Sequence, residues 1–203
     1  MTDLTKLGSA SRRQFLSVGA LSGTAVLLSA CGATTGTPAA SAAPRTGRVY
    51  LSILTGDQIG KKEWPAVVPA NFKVPAHSTV TVELFNYDDA TPLAAGAEQF
   101  SKVTGTVGNT ITVITWDPAN PGVDGSSQQI SSLDAAKVSH TLTADKLGLN
   151  IPVPGKSKIV FQLQTGDPGS FDWVCMDPCG SDPNGTGGAM QAVGYMKGTI
   201  TVE

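Results

Sequence analysis

The sequence predicts an all-β fold, a β-sandwich with Greek-key connections, and three observations carry that expectation. Seven or so short runs alternate apolar and polar residues with a period of two, the pattern of strands that bury one face. Almost no stretch shows the 3.6-residue spacing of a helix with one apolar face. The 203 residues include 23 Gly and 13 Pro, which fall largely between the alternating runs and supply the turns that a many-stranded sandwich needs.

The first element in order is not part of that fold. Ser11-Arg-Arg-Gln-Phe-Leu16 followed by an apolar run matches a twin-arginine export signal, and Leu28-Ser-Ala-Cys31 matches a lipobox. The run from Phe15 to Ala30 is interrupted by Gly and Ser and falls short of the ~20 apolar residues of a spanning helix. Residues 1–30 are therefore read as a cleaved leader and Cys31 as the lipid-bearing N-terminus of the mature chain. Residues 31–48, rich in Ala, Thr, Gly, Ser and Pro, are read as a flexible tether, and 49–203 as one folded domain. The expected location is extracytoplasmic, with the lipid bilayer as partner through acylated Cys31 at the outer face of the cytoplasmic membrane.

Within the domain, Arg48-Val-Tyr-Leu-Ser-Ile-Leu54 is the first expected strand, and Gly56 to Pro69 carries turn residues. Ser78-Thr-Val-Thr-Val-Glu-Leu-Phe85 is the second, ending at the turn Asn86-Tyr-Asp-Asp89. The segment 90–137 reads as an insertion with one strand at Asn109–Thr115, a Pro/Gly/Asp loop from Asp117 to Ser127, and a helical turn within Ser131–Lys137. Strands resume at Ser139–Thr143 and at Lys156–Gln164, where Ile159, Phe161 and Leu163 fall on one face, with Leu147–Pro154 as a Pro-bounded crossing between them. Ser170–Cys175 and Lys197–Val202 complete the pattern.

Composition narrows the function. Removing residues 1–30 takes away Lys6, Arg12, Arg13 and Asp3, leaving eleven basic and fifteen acidic side chains and a net charge of about −4. Nucleic acid is not an expected partner. The mature chain holds no Gly-rich phosphate loop, no Gly-x-Ser-x-Gly elbow and no His-Glu-x-x-His, and the adjacent acids Asp88-Asp89 read as a solvated turn, so no enzymatic activity is expected.

The end of the chain carries the chemistry. Cys175-Met-Asp-Pro-Cys179 sits in a Gly-rich loop with Met190 and Met196, and His140 precedes Cys175 by thirty-five positions. Thiolates and thioethers select copper among available metals, and an imidazole completes a low-coordinate site. A His followed at that distance by a Cys/Met loop resembles the cupredoxins, a copper-binding β-sandwich family. The Cys-x-x-x-Cys-Gly spacing resembles the binuclear copper domain of cytochrome oxidase subunit II more closely. The likeness spans Val80 to Glu203 in outline and rests on motifs in 138–203. It implies a cupredoxin-like sandwich holding copper through His140, Cys175, Cys179 and Met196. The family also places a second His shortly after the cysteines, whereas here the two histidines are His77 and His140 and none follows Cys179.

Three functions stay open from these residues. The first, and the one expected, is electron transfer with a respiratory protein partner; the second is a copper(I) carrier or assembly factor serving a copper-handling partner, which needs no second His. In the third, Cys175 and Cys179 pair as a disulfide in a metal-free binding module.

Overall fold

The computed structural model describes residues 45–179 and 188–203. The leader, the lipobox with Cys31, most of the tether and the stretch from Gly180 to Gly187 lie outside the described residues.

Among the described residues, eleven strands run β1 (Arg45–Leu54), β2 (Ala66–Val68), β3 (Asn71–Val74), β4 (Ser78–Asn86), β5 (Ile111–Trp116), β6 (Asp124–Ile130), β7 (Val138–Ala144), β8 (Leu149–Pro154), β9 (Ser157–Gln164), β10 (Gly169–Val174) and β11 (Lys197–Val202). They form a six-stranded sheet in the order β2-β1-β4-β9-β5-β6 and a five-stranded sheet in the order β3-β11-β10-β7-β8. The β1–β4 and β3–β11 pairs are parallel and the others antiparallel. The all-β sandwich expected from the sequence is the fold observed.

Period-two alternation decides which side chains meet between the sheets. In β9, Ile159, Phe161 and Leu163 are buried and face Val80, Val82 and Leu84 of the neighbouring β4 in register. The opposing sheet contributes Leu142, Ile151, Val153, Trp173, Ile200 and Val202 to the same core. Each such aliphatic side chain contributes about 1.5–3 kcal/mol by leaving water. Trp173 caps this core with its indole N–H donating to the Ala70 carbonyl at 2.8 Å.

Several expected boundaries are corrected. The strand expected from Arg48 begins at Arg45, so the last positions of the 31–48 tether belong to β1. Gly56–Pro69 is not only turn, because Ala66–Val68 pairs with β1 as an edge strand. The 90–137 insertion is woven into both sheets. Its β5 and β6 extend the six-stranded sheet beyond β9, while Thr104 bridges Asn150 at the edge of β8. The last four positions of the expected Asp117–Ser127 loop belong to β6, whose polar residues are exposed on both faces and so give no alternating signal. Leu147–Pro154 is likewise no crossing: Leu149–Pro154 is β8, buried on both faces, so it lacks the exposed polar positions that mark a strand with one wet face. Among the described residues no helix is long and apolar enough to cross a membrane.

Candidate metal centre

Strand β7 is buried along its whole length, which is unusual for a sequence as polar as Val-Ser-His-Thr-Leu-Thr-Ala. Its polar side chains therefore need partners inside the protein. Thr141 Oγ accepts the Met176 N–H at 2.8 Å and lies 3.0 Å from the Thr143 hydroxyl; Thr143 donates in turn to Asn150 Oδ1 at 2.7 Å. Asn150 Nδ2 donates to the carbonyls of Phe100 and Lys102. One continuous buried network thus ties the loop after β10 to β7, β8 and the 90–137 segment.

That loop brings both cysteines against His140. His140 Nδ1 lies 2.8 Å from Cys179 Sγ, and the two sulfurs lie 2.9 Å apart. Cys175 Sγ accepts the Thr141 N–H at 3.3 Å, and the Cys175 N–H donates to the Met196 carbonyl at 2.9 Å. Both cysteines are free, so no disulfide joins them in this structure. One atom from each of His140, Cys175 and Cys179 falls within 4.8 Å of the others, and all three residues are buried. Of the expected site residues, the fold thus unites His140, Cys175 and Cys179. Met196 is fully buried in the core beside them, with its backbone carbonyl bound to Cys175. His77 is elsewhere. It is exposed, pairs with Asp167 at 3.4 Å, and precedes the nine-residue β4, about 30 Å along the strand from the turn that reaches His140.

The residue that sequence reasoning missed is Asp88, expected as part of a solvated turn. Asp89 does face solvent and pairs with Lys156 at 2.7 Å. Asp88 instead turns inward and accepts from His140 Nε2 at 3.2 Å. Buried Asn86 holds it there, accepting the Asp88 N–H at 3.1 Å while donating to the Pro154 carbonyl at 2.8 Å. The signal available in the sequence was the Asn86-x-Asp88 spacing, in which an Asn side chain caps the backbone two residues on.

The electrostatics follow from burial in mutual contact. Burial disfavours the imidazolium, but the Asp88 carboxylate and the Cys175 sulfur outweigh it and raise His140 to about 9. Cys175 is also opposed by burial, yet Cys179 and His140 pull its thiol well below the usual range, while burial and the neighbouring Cys175 push Cys179 up. Asp177, inside the Cys-Met-Asp-Pro-Cys loop, is fully buried and neither carboxylate oxygen has a hydrogen-bond partner among the described residues. Burial, with Cys175 next, raises it to about 8. Burial thus favours the protonated forms of Cys179 and Asp177, while Cys175 is drawn toward its thiolate beside the His140 imidazolium. A bound cation would take the place of the protons on the sulfurs and the ring, and two thiolates with one imidazole form a donor set suited to copper(I). Asp88 on the far ring nitrogen is the carboxylate partner that metal-ligating histidines commonly have. The residues present fit such an ion.

No family model matches the sequence, and no curated protein matches it. Among solved structures, the chain is similar to auracyanin from the photosynthetic bacterium Roseiflexus castenholzii, at 15% identity over 77% of this chain and 96% of that one, with a TM-score of 0.37. It is similar to auracyanin A, a "blue" copper protein of Chloroflexus aurantiacus, at 16% identity over 78% and 100% of the two chains, with a TM-score of 0.37. Reduced rusticyanin is similar at 14% identity over 79% of this chain and 81% of its own, with a TM-score of 0.32.

Proposed function

We propose that this protein is a non-enzymatic copper protein, exported and lipid-anchored through Cys31, whose buried site holds one copper(I) ion for delivery to a copper-handling partner. The observation that carries the reading is the buried cluster of His140 Nδ1, Cys175 Sγ and Cys179 Sγ. Two soft sulfurs and one nitrogen satisfy copper(I) in low coordination. The other histidine, His77, lies at the far end of β4, so the cluster offers one imidazole only.

Electron transfer with a respiratory partner is the second reading, and the locked geometry of the ligands favours it. Thr141 N–H fixes one sulfur and Asp88 fixes the ring, which limits rearrangement between oxidation states. Copper titration of the anaerobically reduced protein tests both. About one equivalent should bind, His77→Ala should bind as well as wild type, and Cys175→Ser should not bind. Tight copper(I) binding without a thiolate-to-copper(II) charge-transfer band on oxidation supports carriage, and an intense band supports electron transfer. Binding undiminished in Cys175→Ser would rule the cluster out as the site. Anchoring is tested separately: labelled palmitate should enter wild type and not Cys31→Ala.

A further inference from the structure

Among the described residues, two openings meet residues of the buried cluster, and they share no lining residue. One, of about 560 Å³, meets His140 and Cys179 and is lined by four acids, Asp57, Glu63, Asp88 and Asp89, and one base, Lys62. The other, of about 480 Å³, meets Cys175 and is lined by Met176 and Met190 together with Trp173. Its charged residues are two acids, Asp145 and Asp172, and two bases, Lys146 and Lys197, which leaves no net field to draw in hydrated divalent ions. The first opening therefore offers hard oxygen donors and the second soft sulfur donors, an asymmetry that decides which ions each favours.

Met176 and Met190 also differ from Met196 in burial. Met196 is sealed in the core beside the cluster, whereas Met176 and Met190 are both half-buried. Met176 directly follows Cys175, and its backbone is pinned by the Thr141 hydroxyl at 2.8 Å. Two half-buried methionines lining the same opening as a buried cysteine are what stepwise ligand exchange requires. Neutral thioethers bind copper(I) weakly enough to release it, and the thiolate beyond them binds it more strongly.

We propose that the Met176–Met190 opening is the loading site for copper(I), and that the acid-lined opening is not. This rests on the copper reading above. Met176 and Met190 accept the ion from its carrier and pass it to Cys175, each thioether bond breaking as a thiolate bond forms. The oxidation state does not change, and the protons displaced from the cluster go to solvent.

The test mixes reduced protein with the coloured copper(I)–bicinchoninate complex in a stopped-flow instrument and follows the loss of colour. Met176→Leu/Met190→Leu keeps side-chain volume and apolar character. It should slow transfer by about tenfold, while the final partition of copper between chelator and protein stays within about twofold of wild type. Each single Leu variant should fall between the two. Asp57→Asn/Glu63→Gln, in the other opening, should transfer at the wild-type rate. Unchanged transfer in the Leu variants overturns the proposal, as does slowing confined to the Asp57/Glu63 variant. Rate and partition falling together would make the methionines ligands of the final site and also overturn it. If wild type itself takes no copper, the copper reading fails first and this inference with it.

Discussion

Replacing Asp88 with Asn separates two opposing effects that the structure places on one ring. Asp88 accepts from His140 Nε2 at 3.2 Å, so it orients the imidazole that would offer Nδ1 to the metal. Loss of such a carboxylate partner lowers metal affinity about 10–100-fold, or about 1.4–2.7 kcal/mol. The same carboxylate helps raise His140 to about 9, and a metal has to displace that proton. At pH 7 displacement costs about 2.7 kcal/mol, at about 1.4 kcal/mol for each pH unit below the titration point. Asn, being neutral, removes the Asp88 share of that cost and leaves the Cys175 share, so the two changes offset each other in part at pH 7. Above His140's titration point the proton is gone in both proteins and only the lost orientation remains. Copper(I) affinity, measured by competition with bicinchoninate, should therefore fall about 10–100-fold at pH 9.5 and by clearly less at pH 7. An equal loss at both pH values, or none at either, would refute this account of Asp88.

Other perturbations test the surroundings of the site. Asp177 titrates at about 8 in the fold against an ordinary 3.8, so folding loses stability as pH rises from 3.8 through 8. Asp177→Asn should therefore stabilise the metal-free protein at pH 8 by about 1–2 kcal/mol and change little at pH 4, read as unfolding midpoints in urea. His140 shows the same sign from the other charge type. Its pairing stabilises the fold fully below 6.5 and that stability fades as pH rises through about 9, so His140→Gln should cost more at pH 6 than at pH 10. Gly198→Ala would set a Cβ onto the Ala70 carbonyl that holds the Trp173 indole. Backbone cannot yield there as a side-chain end can, so a loss of about 3 kcal/mol or more is expected in thermal unfolding.

What could be read from the sequence depended on how each residue's signal is encoded. Strands with one wet face, such as β9 and β11, announce themselves by alternation, and their expected limits agree with the observed ones to within a residue. Strands β6 and β8 carry no such signal, one being exposed on both faces and the other buried on both, and they were read as loop and crossing. The soft donors were legible because Cys and His are few and their chemistry is narrow. Their convergence was legible only through the family resemblance, since the 35 positions from His140 to Cys175 say nothing by themselves about distance. Asp88 was hidden because its role depends on where a turn fifty-two residues away in sequence comes to rest. Asp177 was hidden because burial, not residue type, makes its carboxylate unusual.

The central claim is that His140, Cys175 and Cys179 together bind one copper(I) ion. X-ray absorption at the copper edge of the reduced, singly loaded protein tests it most directly. The account predicts a copper(I) edge with two sulfur scatterers and one imidazole nitrogen, and one sulfur fewer in any Cys179→Ser protein that retains copper. A first shell of nitrogen and oxygen alone, or a wild-type spectrum unchanged by Cys179→Ser, would contradict it.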